Sequence, residues 1–288
     1  MATARPMPRW APVTRTILPA HRWSDFMVAK VYHRTRGRAG LTAGMLVAVA
    51  YLATRFFVYR MFPTGSVETI PGVGVLYQPG PYEWWVRDTI MDVPRLLTFA
   101  LALWTGRYFW GLEQIGWHAN RPVLGLIGGS VIVAFVLSDV AFRTRPFDLP
   151  LYQLLVLSAS SVIVAACEET LFRGVIFNGL NDWRGATVAL WGSAALFAIY
   201  HVQAQPLDAW PKIFLTGLFA AVLRWQGVGL AWLVGGHAAA DALAYLGSEG
   251  PSRFVWWPTL ALALQIAVII GYYLWATRAK RLARSASS

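Results

Sequence analysis

The chain has 288 residues, of which 57% are hydrophobic and only 14% charged, and it carries 15 tryptophans and a formal net charge of +11. With its positive mean hydropathy, that composition exceeds what a soluble core of this length needs, which excludes an ordinary soluble domain and points to a polytopic membrane protein. Most of the positive charge lies in the two ends, so it reads as membrane topology and not as a nucleic-acid surface.

Residues 1–40 form a basic tail with eight Lys/Arg against one acid, Asp25. No cleavable signal peptide is expected, because the first apolar run begins only at Leu41. A membrane span needs about 20 mostly apolar residues. Clear candidates in chain order are 41–59, 123–142, 151–180, 186–201, 228–246 and 254–276, with weaker ones at 93–110 and 211–223. Together they predict an all-α protein of about eight transmembrane helices.

Residues 60–92 form the longest loop, carrying Glu68, Glu83, Asp88 and Asp92, and its "PYEWWVRD" is expected at the membrane interface, where Trp and Tyr settle. Arg55 and Asp139 fall near predicted span ends, where snorkelling or solvation is the default. The last residues, 278–288, form a second basic tail. Two basic tails place both termini on the cytoplasmic side, which requires an even number of spans. The resulting division is a tail (1–40), N-terminal helices with the outer loop (41–120), a core with the final helix (121–277) and the closing tail (278–288). Cys167 stands alone, so no intramolecular disulfide can form.

Three polar clusters interrupt the apolar segments. The first is "CEETLFRG" at 167–174, where Glu169 and Arg173 are i,i+4 neighbours in the favourable order and neutralise each other as a structural ion pair. Glu168 has no local partner, and an unpaired charge at mid-membrane costs roughly 2.5–3.5 kcal/mol even on the lenient scales. The second cluster, "FAIYH", puts Phe197 one turn before His201. The third, "HAAAD", sets His237 and Asp241 on one helix face, with Gly235 and Gly236 before them to let another helix approach. Glu168 and His201 are nearly equidistant from the loop "NDWRG" at 181–185, and His237 lies about ten residues past "RWQG" at 224–227. At a rise of about 1.5 Å per residue, all three clusters reach a similar depth.

In this order, "EETLFR", "FAIYH" and "HAAAD" fit the patterns E-E-x-x-x-R, F-x-x-x-H and H-x-x-x-(N/D). The set resembles the CAAX protease and bacteriocin-processing family of intramembrane glutamic endopeptidases, also called the ABI family, which includes the type II CAAX prenyl endopeptidase. The likeness covers roughly residues 120–246. It implies that Glu168 acts as general base on a water with His201, and that His237 and Asp241 serve the oxyanion side. It implies no metal and no cofactor. It further implies a membrane-associated protein or peptide substrate, ranging from prenylated C-terminal peptides to bacteriocin leaders. The basic N-terminal tail fits a bacterial inner membrane, where prenylated substrates are unexpected.

Amide hydrolysis needs a base for water, a donor aimed at the developing oxyanion and an acid for the leaving amine, and these residues can supply all three. Relatives often carry Asn where this chain has Asp241, and an ionised Asp cannot donate to an oxyanion. We therefore assign Asp241 to orienting His237, which is left as the main oxyanion donor. Two other classes stay open on the residues alone. Glu, two His and Asp are also acceptable zinc ligands, although H-E-x-x-H is absent. Buried carboxylates also suit a proton-coupled transporter, or the protein could be a catalytically silent membrane scaffold.

Overall fold

A computed structural model describes residues 20–63, 65–70, 74–79, 83–140, 143–146, 149–201, 209–245, 248–252 and 257–285. Within the described residues each of the eight predicted apolar segments corresponds to a helix, and helix also forms where none was expected, at 20–40 in the basic tail, at 84–90 in the expected outer loop and at 112–115. The helices are α1 (Ala20–Met61), α2 (Trp84–Ile90), α3 (Asp92–Phe109), α4 (Leu112–Ile115), α5 (Pro122–Val140), α6 (Leu151–Glu169), α7 (Phe177–Arg184), α8 (Ala186–Tyr200), α9 (Trp210–Trp225), α10 (Leu230–Ala244) and α11 (Trp257–Ser285). Two short antiparallel ribbons decorate this all-α membrane protein. One pairs β1 (Gly65–Ile70) with β2 (Gly74–Pro79); the other pairs β3 (Arg143–Pro146) with β4 (Ser248–Ser252).

Three helices are long and apolar enough to cross a membrane: Val31–Met61, Leu151–Arg184 and Thr259–Ala279. Pro122–Ser138, Ala186–Tyr200 and Leu230–Ala244 are shorter apolar helices. Many large apolar side chains, among them Leu46, Trp104, Leu126, Leu155 and Trp275, face outward. An outward apolar coat of that kind is what lipid contact requires, and the protein is an integral membrane protein.

The helix that carries the glutamates does not run straight. α6 passes without a break into a π-helical segment, Thr170–Ile176, and then into α7, and every residue of the π segment is buried. Gly185, with φ of 90°, closes the α7–α8 hairpin in a conformation that side chains rarely adopt. α10 packs against both α5 and α6, α8 packs against α9, and α11 lies against α9 and α5. The α5–α10 crossing is tight because Gly129 faces Gly236; a methyl at Gly236 would come within 2.6 Å of the Gly129 Cα. The expected close approach at the "GG" pair thus falls to Gly236, since a methyl at Gly235 would meet nothing within 4 Å.

α3 is fastened to α6 by polar contacts. Arg95 donates to Asp92 at 2.8 Å and to the Asp88 carbonyl at 2.9 Å, while Ser160 donates to Asp92 at 2.8 Å. Arg55 is buried, contrary to the snorkelling expected of it. It donates to the Tyr59 hydroxyl one turn on, because α2 and α3 fold back over this end of α1. The side chain of Asp139 and the ends of both basic tails lie outside the described residues.

Candidate active site

Glu168 and Glu169 are the last two residues of α6, His201 caps the C-terminus of α8, and His237 and Asp241 lie one turn apart on α10. Three separate elements thus deliver the polar clusters to one place. Glu168 is 5% exposed and Glu169 is 2% exposed. The Glu168 Oε2 stands 3.7 Å from the His201 Nε2 and 3.9 Å from the His237 Nε2. Those distances are long for direct hydrogen bonds, and this buried oxygen has no hydrogen-bond partner among the described residues.

Glu169 is held far more tightly. One oxygen lies 3.4 Å from the Arg173 Nε, as the i,i+4 spacing predicted, and the other is hydrogen-bonded to the His237 Nδ1 at 2.9 Å. The guanidinium of Arg173, 1% exposed, also donates to the Gly217 carbonyl at 3.1 Å and lies 4.1 Å from the centre of the Phe197 ring. A cation over an aromatic face and a full carboxylate partner offset much of the cost of burying this charge. Phe197 therefore touches Arg173 with its ring and His201 with its carbonyl.

The partners of the two histidines constrain where their protons are. A backbone carbonyl can only accept, so the 2.8 Å contact from the His201 Nδ1 to the Phe197 oxygen places a proton on Nδ1. In the neutral ring, the Nε2 lone pair then faces Glu168. By the same logic the Nδ1 of His237 donates to the Glu169 carboxylate, and its Nε2 faces Glu168 and Asp241. Asp241 lies 3.5 Å from that Nε2, with its side chain about a third exposed. The short bond that orients His237 comes from Glu169, because α6 and α10 pack side by side, while Asp241 meets the other nitrogen at longer range.

A cavity of about 270 Å³ opens beside these groups. Its apolar wall comes from Ile132, Phe135 and Val136 of α5 with Phe197 and Ile213, and its polar lining includes Glu169, Arg173, Lys212, Thr216 and Gln265 as well as His201, His237 and Asp241, while Glu168 lies behind the two histidines and does not line it. Lys212, Thr216 and Gln265 were not singled out from sequence. Lys212 had a usable signal, as a lone cation opening an apolar segment; Thr216 and Gln265 had none. Cys167, beside Glu168 in the chain, is fully buried and does not line the cavity.

A comparison with family sequence models identifies the segment that carries this site. Residues 150–243 match the type II CAAX prenyl endopeptidase Rce1-like family. The match takes in about a third of the chain and contains all three motifs, from Glu168 to Asp241. The segment that carries the three clusters is therefore similar to a family of membrane prenyl endopeptidases. No curated protein and no solved structure matches the chain.

Proposed function

We propose that this Rce1-like protein is an intramembrane glutamic endopeptidase that cleaves a membrane-associated protein or peptide with a water activated by Glu168. The observation that carries the reading is the buried Glu168 oxygen, unpartnered among the described residues and facing the Nε2 atoms of two histidines. A buried acceptor without a partner costs about 1–3 kcal/mol, so its retention behind two histidines that line the cavity calls for a functional explanation.

In the proposed reaction the carboxylate of Glu168 takes a proton from a water that the His201 Nε2 lone pair also holds. The water oxygen attacks the scissile carbonyl carbon, and the carbonyl π electrons move onto oxygen. His237, as an imidazolium, donates one N–H to Glu169 and turns the other, at Nε2, toward the developing oxyanion. Collapse of the tetrahedral intermediate expels the amine, which leaves with the proton that Glu168 had taken. The products are a carboxylic acid and an amine, the acid's proton then passes to the released amine, and the protein is returned unchanged. Glu169 acts through His237 and Arg173 and is a positioning residue. Asp241, at the cavity face of His237, limits the travel of the ring. Residues 121–277 serve as the catalytic core in this reading.

The deciding experiment compares membranes containing the natural chain with membranes containing Glu168→Gln, mapping new protein termini by mass spectrometry. Termini that arise only with the natural chain support the reading. An unchanged set of termini in the variant removes Glu168 from the mechanism.

A further inference from the structure

A second cavity, of about 570 Å³, lies where α1 and α7 meet, well away from the glutamates. His33, Arg34, Arg38 and Arg184 line it, with Asp182 its one carboxylate. Asp182 is already engaged, accepting from Arg36 at 3.0 Å and from the Trp110 indole at 2.9 Å. Three guanidiniums, those of Arg34, Arg38 and Arg184, therefore line the cavity against a single carboxylate whose charge is already paired with Arg36. The Arg184 and Arg38 guanidiniums lie 4.6 Å and 5.7 Å from the centre of the Trp183 ring, which fixes two flat forks beside one cavity. Gly37 lets α1 and α7 cross closely, since a methyl there would come within 2.7 Å of the Asp182 Cβ.

The position of this cavity says what kind of anion reaches it. It stands at the very end of the apolar helix Leu151–Arg184 and at the polar edge of the apolar stretch of α1, the level at which a bilayer presents its headgroups. Below Arg38, two and three turns on along roughly the same face of α1, Leu46 and Val49 are exposed and apolar. A fixed cluster of guanidiniums above an outward apolar strip matches a phosphate joined to acyl chains. Guanidinium forks bind phosphate oxygens in pairs, and basic pockets between membrane helices are suited to anionic headgroups.

We propose that the α1–α7 cavity is a binding site for the phosphate of an anionic phospholipid, which braces α1 against the helix that continues from Glu168 and Glu169. The proposal does not depend on the peptidase reading. The test uses the full chain purified in detergent, with dioleoylphosphatidylglycerol, dioleoylphosphatidylcholine or inorganic phosphate added separately. Lipid retention is read by native mass spectrometry and stability by thermal melting. Phosphatidylglycerol is expected to be retained and to raise the melting temperature more than phosphatidylcholine does. The double variant Arg38→Gln/Arg184→Gln should bind phosphatidylglycerol roughly thirtyfold more weakly, as expected for two juxtamembrane cations. Arg38→Lys/Arg184→Lys keeps the charge and serves as the folding control, with intermediate binding expected. Equal effects of the two lipids, or undiminished phosphatidylglycerol binding by the double Gln variant, would overturn the proposal. A full melting shift from inorganic phosphate alone would overturn the lipid as its source.

Discussion

Glu169 holds His237: one of its oxygens lies 2.9 Å from the Nδ1 of a histidine 68 positions further along the chain. Its other oxygen meets Arg173 at 3.4 Å, so a single buried carboxylate has both a structural and a positioning duty. Glu169→Ala should then remove two things at once. Breaking a buried pair costs about 3–5 kcal/mol, so a lower melting temperature and poor accumulation are expected. Removing Arg173 as well should restore much of the melting temperature without restoring cleavage, because His237 still lacks its partner. Recovery of both together would show Glu169 to be structural only.

Glu168→Gln keeps the shape of the side chain and removes the base. Cleavage should fall about 10²–10⁴-fold while the protein melts near its normal temperature. His201→Ala should behave alike. If both residues hold one water, the double variant should be scarcely slower than the worse single one. Multiplying losses in single-turnover assays would mean that they act in separate steps.

Asp241 lies 3.5 Å from the His237 Nε2 on the cavity side, and it does not supply the ring's short bond. Asp241→Asn should therefore keep activity within about tenfold, less than the 10²–10³-fold loss usual for an oxyanion donor itself. A zinc mechanism predicts otherwise, because an amide is a much poorer ligand than a carboxylate. Rates and metal content measured on the same preparations decide between them. An inactive Asn variant that has shed a stoichiometric zinc sinks the glutamic mechanism.

Gly236 and Gly235 are neighbours with opposite expectations. Gly236→Ala forces α10 away from Gly129 on α5 and carries the next residue, His237, with it. Overpacking of this kind typically costs about 1–3 kcal/mol, and activity should drop with the melting temperature. Gly235→Ala meets open space and should be neutral in both measurements. A neutral Gly236→Ala would show that the α5–α10 crossing yields without disturbing the site.

The helices, and the motifs on them, were legible because burial in lipid enforces long apolar runs and makes every polar interruption conspicuous. Glu168, His201 and His237 stood out for that reason. What sequence did not reveal was direction around each helix axis. The Glu169–His237 bond depends on how α6 faces α10, and the inward turn of Arg55 depends on α2 folding over it. The π segment at Thr170–Ile176 was likewise invisible, since "TLFRGVI" has the same apolar pattern as an α-helix. Such segments often occur at functional sites, and this one starts directly after Glu169. Gln265 reaches the cavity only because α11 packs against α5 and α9, which no local pattern records.

Cys167 is the chain's one cysteine and is fully buried. A thiol-directed label added to intact cells therefore finds little to react with in the natural chain. Each cysteine introduced elsewhere becomes a reporter on a silent background, with no need for a substituted parent. A membrane-impermeant maleimide can then reveal which side of the bilayer faces residues 1–40 and which faces residues 60–92, one position at a time. The thiol that contributes nothing to the proposed chemistry makes the sidedness of the whole chain directly measurable.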